Sequence, residues 1–368
     1  MIAATLPIQR PPGAKLLVVN ERGEIQHVSR RRFVDSLRPG DLVVANDAAT
    51  LPASLVGVHQ PSGGAVEVRL AGRRSLAPDA VRRFSAVVFG AGDFHTRTED
   101  RSPPPRLRPG DPLALGPLWA TVEKILGHPR LIALGFAGRP EAIWAGLARH
   151  GRPIQYTHIG TPLALWDVWT PLAGPPVAFE PPSAGFALDW QTLRALRVRG
   201  VSVVTLTHAA GISSTGDVEL DRHLPFDEPY RISPATACAI RQHRARGGRV
   251  VAVGTTVVRA LEHAATRDGQ VPAGDGLATQ RINADSRLRV VDAILSGTHE
   301  PGTSHYELLR AFTDEVSLRR ASEELNGHGY RTHEFGDSVL VERKKRVAKT
   351  RKRNNSPAIS CSPKTNTK

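Results

Sequence analysis

The segment VVAVGTTVVRALE, Val250–Glu262, decides how the second half of the chain folds. Four β-favouring residues end on Gly254, the pair Thr255 and Thr256 follows, and the remaining residues have the pattern of a helix. This order predicts a strand, a tight turn and a helix start. Such a turn directs backbone N–H groups and two hydroxyls toward one point, which suits an anionic group of a ligand. A plain connector between a strand and a helix is the commoner use of such a turn, so the rest of the chain must decide.

Strands and helices alternate on both sides of this segment. After residue 152 the sequence predicts helices at Trp190–Val198, with Asp189 as the N-cap, and at Ala235–Arg246, and strands at Val201–Leu206 and Val290–Leu295. Alternation of this kind predicts an α/β fold with a mostly parallel sheet and helices on both faces. Ligands in such folds bind beyond the carboxyl ends of the strands, where the Gly254 turn falls.

The region between the two α/β parts has a different sequence pattern. Short strands such as Val66–Leu70, Ala86–Phe89, Trp119–Ile125 and Leu131–Leu134 are separated by Gly and Pro turns, which predicts an inserted small β-barrel domain. The expected organisation is a discontinuous α/β catalytic domain at 1–60 and 150–342, with the barrel domain at 61–149.

Composition excludes several classes of protein. The 368 residues suffice for two domains with their own cores. No apolar run is long enough for a membrane span, and no signal peptide is recognised, so no membrane partner is expected. The only cysteines, Cys238 and Cys361, rule out a disulfide framework and favour the reducing cytoplasm. No contiguous zinc motif is present, since His299, Glu300 and His305 have the wrong spacing, so no metal is expected.

The net charge of +14 is concentrated at the C-terminus. Ten of the 49 Lys and Arg residues, and none of the 35 acidic ones, lie in 343–368, which leaves 1–342 with a net charge of only +4. The segment 343–368 is polar and predicted to be a basic disordered tail. It either contacts phosphates without sequence preference or is a solvated appendage with no role.

Five segments, in order, resemble the S-adenosylmethionine:tRNA ribosyltransferase-isomerases of queuosine biosynthesis. The Val250–Glu262 segment, with the preceding glycines, is nearly identical to the family's version. Each of the other four is similar to a family segment: Pro39–Gly57 to PGDLLVFNDTRVIPARL, Pro181–Phe186 to APTAGLHF, Val290–Ser304 to VDALITNFHLPKST, and Gly329–Val341 to YRFFSYGDAMLI. The resemblance covers most of 1–342 and none of the tail.

This resemblance implies both a fold and a reaction. The family fold is an α/β domain built from both ends of the chain with a β-barrel inserted between them. The family reaction transfers and isomerises the ribosyl part of S-adenosylmethionine onto 7-aminomethyl-7-deazaguanine in tRNA, giving epoxyqueuosine and releasing adenine and methionine. S-adenosylmethionine is then a cosubstrate, tRNA is a partner, and no true cofactor is expected.

The reaction needs a base near the carbon beside the sulfonium, and His or carboxylate side chains can serve. The catalytic candidates are Asp47, Glu228, His299 and Asp337. Each also has a structural explanation: turn residues for the two aspartates, a solvated loop charge for Glu228, and a satisfied structural histidine for His299.

A second set of residues is expected to bind S-adenosylmethionine. This set consists of Asn46, Ser183, Gly185, Gly254, Thr255, Thr256 and Arg259. Arg259 can bind a carboxylate bidentately, or it can pair with Glu262 one helical turn on. Small residues at Ser183 and Gly185 allow a ligand to approach closely.

Some polar residues of the family segments are missing here, which leaves two further functions open. The family's polar positions fall on Ala49, Ala187, Thr207 (with His208 next to it), Phe226 and Gly297. A shift of one residue within a strand turns a side chain to the opposite face, so His208 is not a simple replacement. The alternatives are a divergent paralogue that uses S-adenosylmethionine with another acceptor, and an inactive RNA-binding protein.

Overall fold

The computed structural model describes residues 1–344. Its strands are β1 (Ile2–Ala3), β2 (Lys15–Val19), β3 (Ile25–Ser29), β4 (Leu42–Asn46), β5 (Ala49–Thr50), β6 (Ser54–His59), β7 (Gly64–Gly72), β8 (Arg83–Phe89), β9 (Pro112–Leu115), β10 (Leu118–His128), β11 (Leu131–Phe136), β12 (Pro176–Ala178), β13 (Ser202–His208), β14 (Glu228–Ile232), β15 (Val250–Val253), β16 (Gly274–Ala278), β17 (Ala293–Gly297), β18 (Arg331–Thr332) and β19 (Ser338–Glu342). Its α-helices are α1 (Pro140–His150), α2 (Leu165–Val168), α3 (Trp190–Val198), α4 (Val218–Asp221), α5 (Pro234–Ala245), α6 (Thr255–Ala264), α7 (Ser304–Leu309) and α8 (Glu315–Gly327). Short 3₁₀ turns lie at Arg30–Ser36, Pro78–Arg82, Thr98–Asp100 and Ser183–Ala187.

The largest sheet of the described residues has nine strands in the order β16-β14-β13-β4-β15-β17-β19-β2-β3. Its centre is parallel, because β4 pairs in parallel with both β13 and β15, and β15 with β17. Toward the edges, β13–β14, β14–β16, β17–β19 and β2–β3 are antiparallel. The prediction of a mostly parallel sheet was therefore wrong: the sheet is mixed, with parallel pairs at its centre and between β19 and β2, and antiparallel pairs elsewhere.

Alternating side chains of the central strands contribute to two cores. In β4, Leu42 and Val44 belong to the core under α5, α6, α7 and α8. Val43 and Ala45 belong to the opposite core, which contains Leu196 of α3 and the 3₁₀ turn Arg30–Ser36. Burial on both faces explains why these strands are continuous apolar runs.

The inserted β-barrel is confirmed. Six strands within the described residues, in the order β10-β11-β8-β7-β6-β9, close into a barrel with its own core. Its first strand begins at Ser54 and its last ends at Phe136, so the barrel starts earlier than the expected boundary at residue 61. Strand β6 was missed because its only fully buried apolar side chain is Leu55.

The two ends of the described chain meet at one edge of the structure. Strand β19 pairs in parallel with β2, and Leu16 faces Ser338. Arg343 and Lys344, the first residues of the predicted tail, contact the body: Arg343 N donates to Asp292 O (2.7 Å) and forms an ion pair with its carboxylate. The rest of the tail prediction lies outside the described residues. Within 1–344, no helix has the length and apolarity that crossing a membrane requires.

Candidate functional site

A cavity of about 420 Å³ lies beyond the carboxyl ends of the central strands. The turn after β15, the loop after β17 and the 3₁₀ turn Ser183–Ala187 contribute to its wall. Seven residues predicted for the site line it, namely Ser183, Glu228, Gly254, Thr255, Thr256, Arg259 and His299. Its volume is in the range of cavities that hold small ligands.

The Gly254 turn connects β15 to α6 in a conformation that only glycine adopts easily. Gly254 has φ of 95° and ψ of 154°, a region that L side chains avoid. Its N–H donates to Leu295 O (2.8 Å), which fixes the turn to the neighbouring strand β17. Gly254 also offers no side chain to cap α6. The first N–H groups of this helix are therefore left for another acceptor, such as an anionic group in the cavity.

Arg259 and Glu228 form a buried ion pair at the cavity wall. Their exposed fractions are 5% and 6%, and Arg259 Nη1 binds Glu228 Oε2. Nη2 of the same arginine donates to Ala278 O (3.1 Å) and Phe226 O (3.2 Å). Burial lowers the pKa of Arg259 to about 10, so the guanidinium stays charged at neutral pH.

This pair settles two alternatives from the sequence. Glu228 is not a solvated loop charge, since it is buried and its Oε1 also accepts from Gly211 N (2.6 Å). Arg259 does not pair with Glu262, whose carboxylate accepts the backbone N–H groups of residues 289, 290 and 291 instead.

A fully buried histidine lies behind the ion pair. His208 has no exposed surface, and its Nε2 is 3.4 Å from Glu228 Oε2. Burial, together with the charge of Arg259, keeps the pKa of His208 well below its usual value. The imidazole is therefore neutral and does not replace a charged group in the cavity.

His299 lies on the opposite wall, stacked on His305. The two ring centroids are 4.5 Å apart with planes 11° from parallel, and His299 Nε2 is 3.2 Å from Ser296 Oγ. Burial lowers the pKa of both histidines, that of His305 to about 4. Both rings are neutral at pH 7 and present nitrogen lone pairs near the cavity. The stacking partner His305 was not predicted as a site residue.

Glu180 is a second site residue that the sequence reasoning missed. It lines the first cavity and also an adjoining one of about 390 Å³, in which Thr332, His333 and Glu334 form part of the wall. The Tyr156 hydroxyl donates to Glu180 Oε1, and Ser213 N donates to Oε2 (3.0 Å). Burial, with the charge of Glu334 as a lesser cause, raises the pKa of Glu180 to about 7.

Two predicted catalytic carboxylates lie away from both cavities. Asp47 accepts hydrogen bonds from the hydroxyls of Thr205 (2.8 Å) and Thr207 (2.7 Å). Asp337 accepts from Lys15 N (2.6 Å) and Arg331 N (2.8 Å). Both carboxylates are therefore used to hold the backbone and strands in place.

Two predicted cosubstrate-binding residues also lie outside the cavities. Asn46 Nδ2 donates to His208 O (2.9 Å), and its Oδ1 accepts from His208 N (2.9 Å), so this side chain joins β4 to β13. Gly185 faces Thr170, whose Cγ2 would lie 3.0 Å from an added Cβ. The close approach that requires a small residue there is made by protein rather than by a ligand.

Residues at the altered polar positions have ordinary structural contacts. Thr207 binds Asp47, and Phe226 packs against the barrel core while its carbonyl accepts from Arg259. Ala187 packs against the α3 side of the sheet. Gly297 lines the cavity, and a Cβ at this position would be 3.6 Å from His299 Nε2, an ordinary contact distance. The change at residue 297 therefore leaves free space beside His299.

Known proteins are similar to nearly all of the described part of the chain. The family model described as queuosine biosynthesis protein matches residues 1–341. The chain belongs to this family. The S-adenosylmethionine:tRNA ribosyltransferase-isomerase of Pelobacter propionicus is 33% identical over 350 residues, which cover 93% of this chain and 96% of that protein. The protein of the same name from Sorangium cellulosum is 32% identical over 366 residues, covering 92% and 95%.

A solved structure is also similar to this chain. It is the crystal structure of an S-adenosylmethionine tRNA ribosyltransferase from Thermotoga maritima, with 22% identity and a TM-score of 0.48 over 92% of this chain and 96% of that one.

Proposed function

We propose that this protein is an S-adenosylmethionine:tRNA ribosyltransferase-isomerase of queuosine biosynthesis. It transfers and isomerises the ribosyl moiety of S-adenosylmethionine onto 7-aminomethyl-7-deazaguanine in tRNA, and releases adenine and methionine. S-adenosylmethionine acts as a cosubstrate, and the tRNA partner places the reaction in the cytoplasm.

One observation carries the proposal. Three of the segments that resemble the family lie far apart in the chain, yet residues from each of them line the same cavity: Ser183, Gly254 to Thr256, and His299. Similarity that served only the fold would not have to converge on one small-ligand cavity. This convergence supports the proposal that the shared cosubstrate binds in this cavity.

The Gly254 turn is the proposed binding point for an anionic or hydroxyl group of S-adenosylmethionine. The uncapped N-terminus of α6 supplies N–H groups, and Thr255 and Thr256 supply hydroxyls. Arg259 acts indirectly, because Glu228 and two carbonyls already occupy its Nη1 and Nη2 donors. Its proposed role is to hold Glu228 and the start of β14 at the cavity wall.

Proton transfer is assigned to Glu180. The reaction begins with loss of a proton from the carbon beside the sulfonium, and a base is most effective when its pKa lies near the working pH. The pKa of Glu180, about 7, meets this requirement. Burial keeps the pKa of His299 well below its usual value, so the proposed role of its neutral ring is to accept a hydrogen bond on the other side of the cavity.

The test is to incubate the protein with S-adenosylmethionine and tRNA that carries 7-aminomethyl-7-deazaguanine. Free adenine is measured by chromatography and the nucleoside by mass spectrometry after digestion. We expect adenine and a nucleoside with the added ribosyl-derived mass in equal amounts. The double variant Thr255→Val/Thr256→Val, which keeps the side-chain shape but removes the hydroxyls, should raise the KM for S-adenosylmethionine.

Three outcomes contradict the proposal. The first is that neither product forms under conditions in which the Pelobacter propionicus relative is active. Adenine release that depends on a small amine instead of tRNA would indicate the divergent paralogue. Salt-sensitive RNA binding without turnover would indicate the inactive RNA-binding protein.

A further inference from the structure

Three side chains that the sequence separates widely meet beside the second cavity. His158 Nε2 is 3.1 Å from Glu334 Oε2, and the His158 and His333 rings stack at 4.2 Å. One ligand atom from each of the three lies within 4.8 Å of the other two. No metal was expected because the sequence has no contiguous metal-binding motif. That expectation does not apply to ligands that come from separate parts of the chain.

From this geometry we infer that His158, His333 and Glu334 form a zinc-binding site that opens toward the second cavity. Two imidazoles and one carboxylate are a ligand set that Zn²⁺ takes when it keeps a fourth position for water or substrate. Bonds of about 2.0 Å in a tetrahedron place neighbouring ligand atoms about 3.3 Å apart. The distance between His158 and Glu334 already matches this value, and the exposed His333 closes the remainder by side-chain rotation.

The surroundings favour a cation at this position. Besides His333, the second cavity is lined by four carboxyl-bearing residues, namely Glu180, Asp221, Glu300 and Glu334. His333 has φ of 67°, the left-handed conformation that few residues other than glycine adopt. This backbone directs the loop so that His333 and Glu334 approach His158.

The ligand pair distinguishes this chain from the family segment it resembles. That segment, YRFFSYGDAMLI, has Phe and Ser at the positions of His333 and Glu334. His333 and Glu334 line the cavity that Glu180 and His299 also line. The fourth position of the ion would therefore be available to a water or a substrate oxygen near the proposed proton-transfer residue Glu180. The inference stands independently of the proposed reaction.

A second cluster of the same composition provides a matched control. His27, Glu324 and His328 are also close enough to share an ion. Its ligand atoms are equally close, since His27 Nε2 and His328 Nδ1 each lie 3.1 Å from Glu324 Oε2. Its position is what separates it from the proposed site. Neither cavity described above includes any of these residues.

The experiment measures Zn²⁺ binding to the chelator-treated protein by calorimetry, with Co²⁺ absorption spectra as a second readout. His333→Gly removes a ligand while keeping a backbone conformation that glycine adopts readily, so the fold is retained. Glu334→Gln removes the carboxylate at nearly the same size. Each should weaken Zn²⁺ binding by more than the about 10- to 100-fold typical of losing an outer-shell partner, and abolish the intense visible spectrum of four-coordinate Co²⁺.

The control variant His328→Ala should leave both signals unchanged. Unfolding curves of all variants establish that each is folded. The inference is overturned if the wild type binds no Zn²⁺ at a stoichiometry of one, or if His333→Gly retains wild-type affinity. Loss of the ion in His328→Ala alone also overturns it and assigns the ion to the surface cluster.

Discussion

The ion pair between Arg259 and Glu228 allows a quantitative test of how the cavity wall is stabilised. Arg259→Met keeps most of the apolar stem but leaves Glu228 buried without its cation. Breaking a buried pair in this way costs about 3–5 kcal/mol of unfolding free energy, because the remaining charge is neither solvated nor paired. The carbonyls of Phe226 and Ala278 also lose a donor. We therefore expect the upper part of that range.

The neighbouring strands supply a control with similar chemistry and different burial. Arg231 on β14 binds Asp275 on β16 at 2.6 Å, but their side chains are 52% and 58% exposed. An exposed pair contributes at most about 1 kcal/mol, so Arg231→Met should have a small effect. Glu228→Gln removes the charge while keeping an acceptor for Gly211 N. The double variant Arg259→Met/Glu228→Gln should be less destabilised than the sum of the singles, with a coupling of about 0.5–3 kcal/mol.

Urea unfolding, followed by circular dichroism and by tryptophan fluorescence, gives the free energies. Coincidence of the two transitions is needed before a single unfolding free energy is assigned to a chain with several separate cores. The reasoning is refuted if Arg259→Met costs no more than Arg231→Met. Additive single variants would equally show that the two charges do not depend on each other.

Two other substitutions test the turn and the proton-transfer residue. Gly254→Ala forces a side chain into a backbone with φ of 95°, so it should lower the unfolding free energy by about 1–3 kcal/mol and weaken S-adenosylmethionine binding. In the control Gly327→Ala the added Cβ meets nothing within 4 Å, so stability should be unchanged or higher. Equal effects of the two variants on stability would contradict backbone strain at Gly254. The pKa of Glu180 is about 7 in the folded protein against 4.5 ordinarily, so its contribution to stability is complete below pH 4.5 and is lost as the pH rises through 7. Between pH 4.5 and 7 the unfolding free energy of the wild type should therefore fall by up to about 3 kcal/mol relative to that of Glu180→Gln. Parallel curves of unfolding free energy against pH for the two proteins would show that the pKa of Glu180 is not raised.

Local pattern was sufficient for the elements with strong periodicity. The apolar run of β15, the Asp189 cap of α3 and the Gly254 turn all appear where the sequence predicts them. In contrast, β14 contains Pro229 and β16 contains two glycines, residues that disfavour strands. Strand β14 forms because it pairs with β13 on one side and β16 on the other, and the edge strand β16 forms because it pairs with β14. Strand direction has no local signal either, which is why the mixed character of the sheet was not predicted.

The site was predictable where it coincides with a turn and not where it depends on distant partners. Glu180 obtains its environment from Tyr156 and Ser213, which are 24 and 33 residues away in sequence. Asp47 was selected because it follows a strand, but hydroxyls 158 and 160 residues away bind it. A carboxylate in either setting has the same local sequence signal. Only the tertiary contacts decide which of the two faces a cavity.

The pairing of β2 with β19 has a consequence for the order in which the protein can assemble during synthesis. The barrel strands are nearly consecutive and can pair as soon as they leave the ribosome, because closing short loops costs little chain entropy. Strand β2 emerges among the first residues, yet its partner β19 ends at Glu342. Strand β3 can pair with one edge of β2 early, but the other edge lacks its partner β19 through almost the whole of translation. The open edge of β2 is therefore exposed to wrong strand pairing until synthesis reaches Glu342.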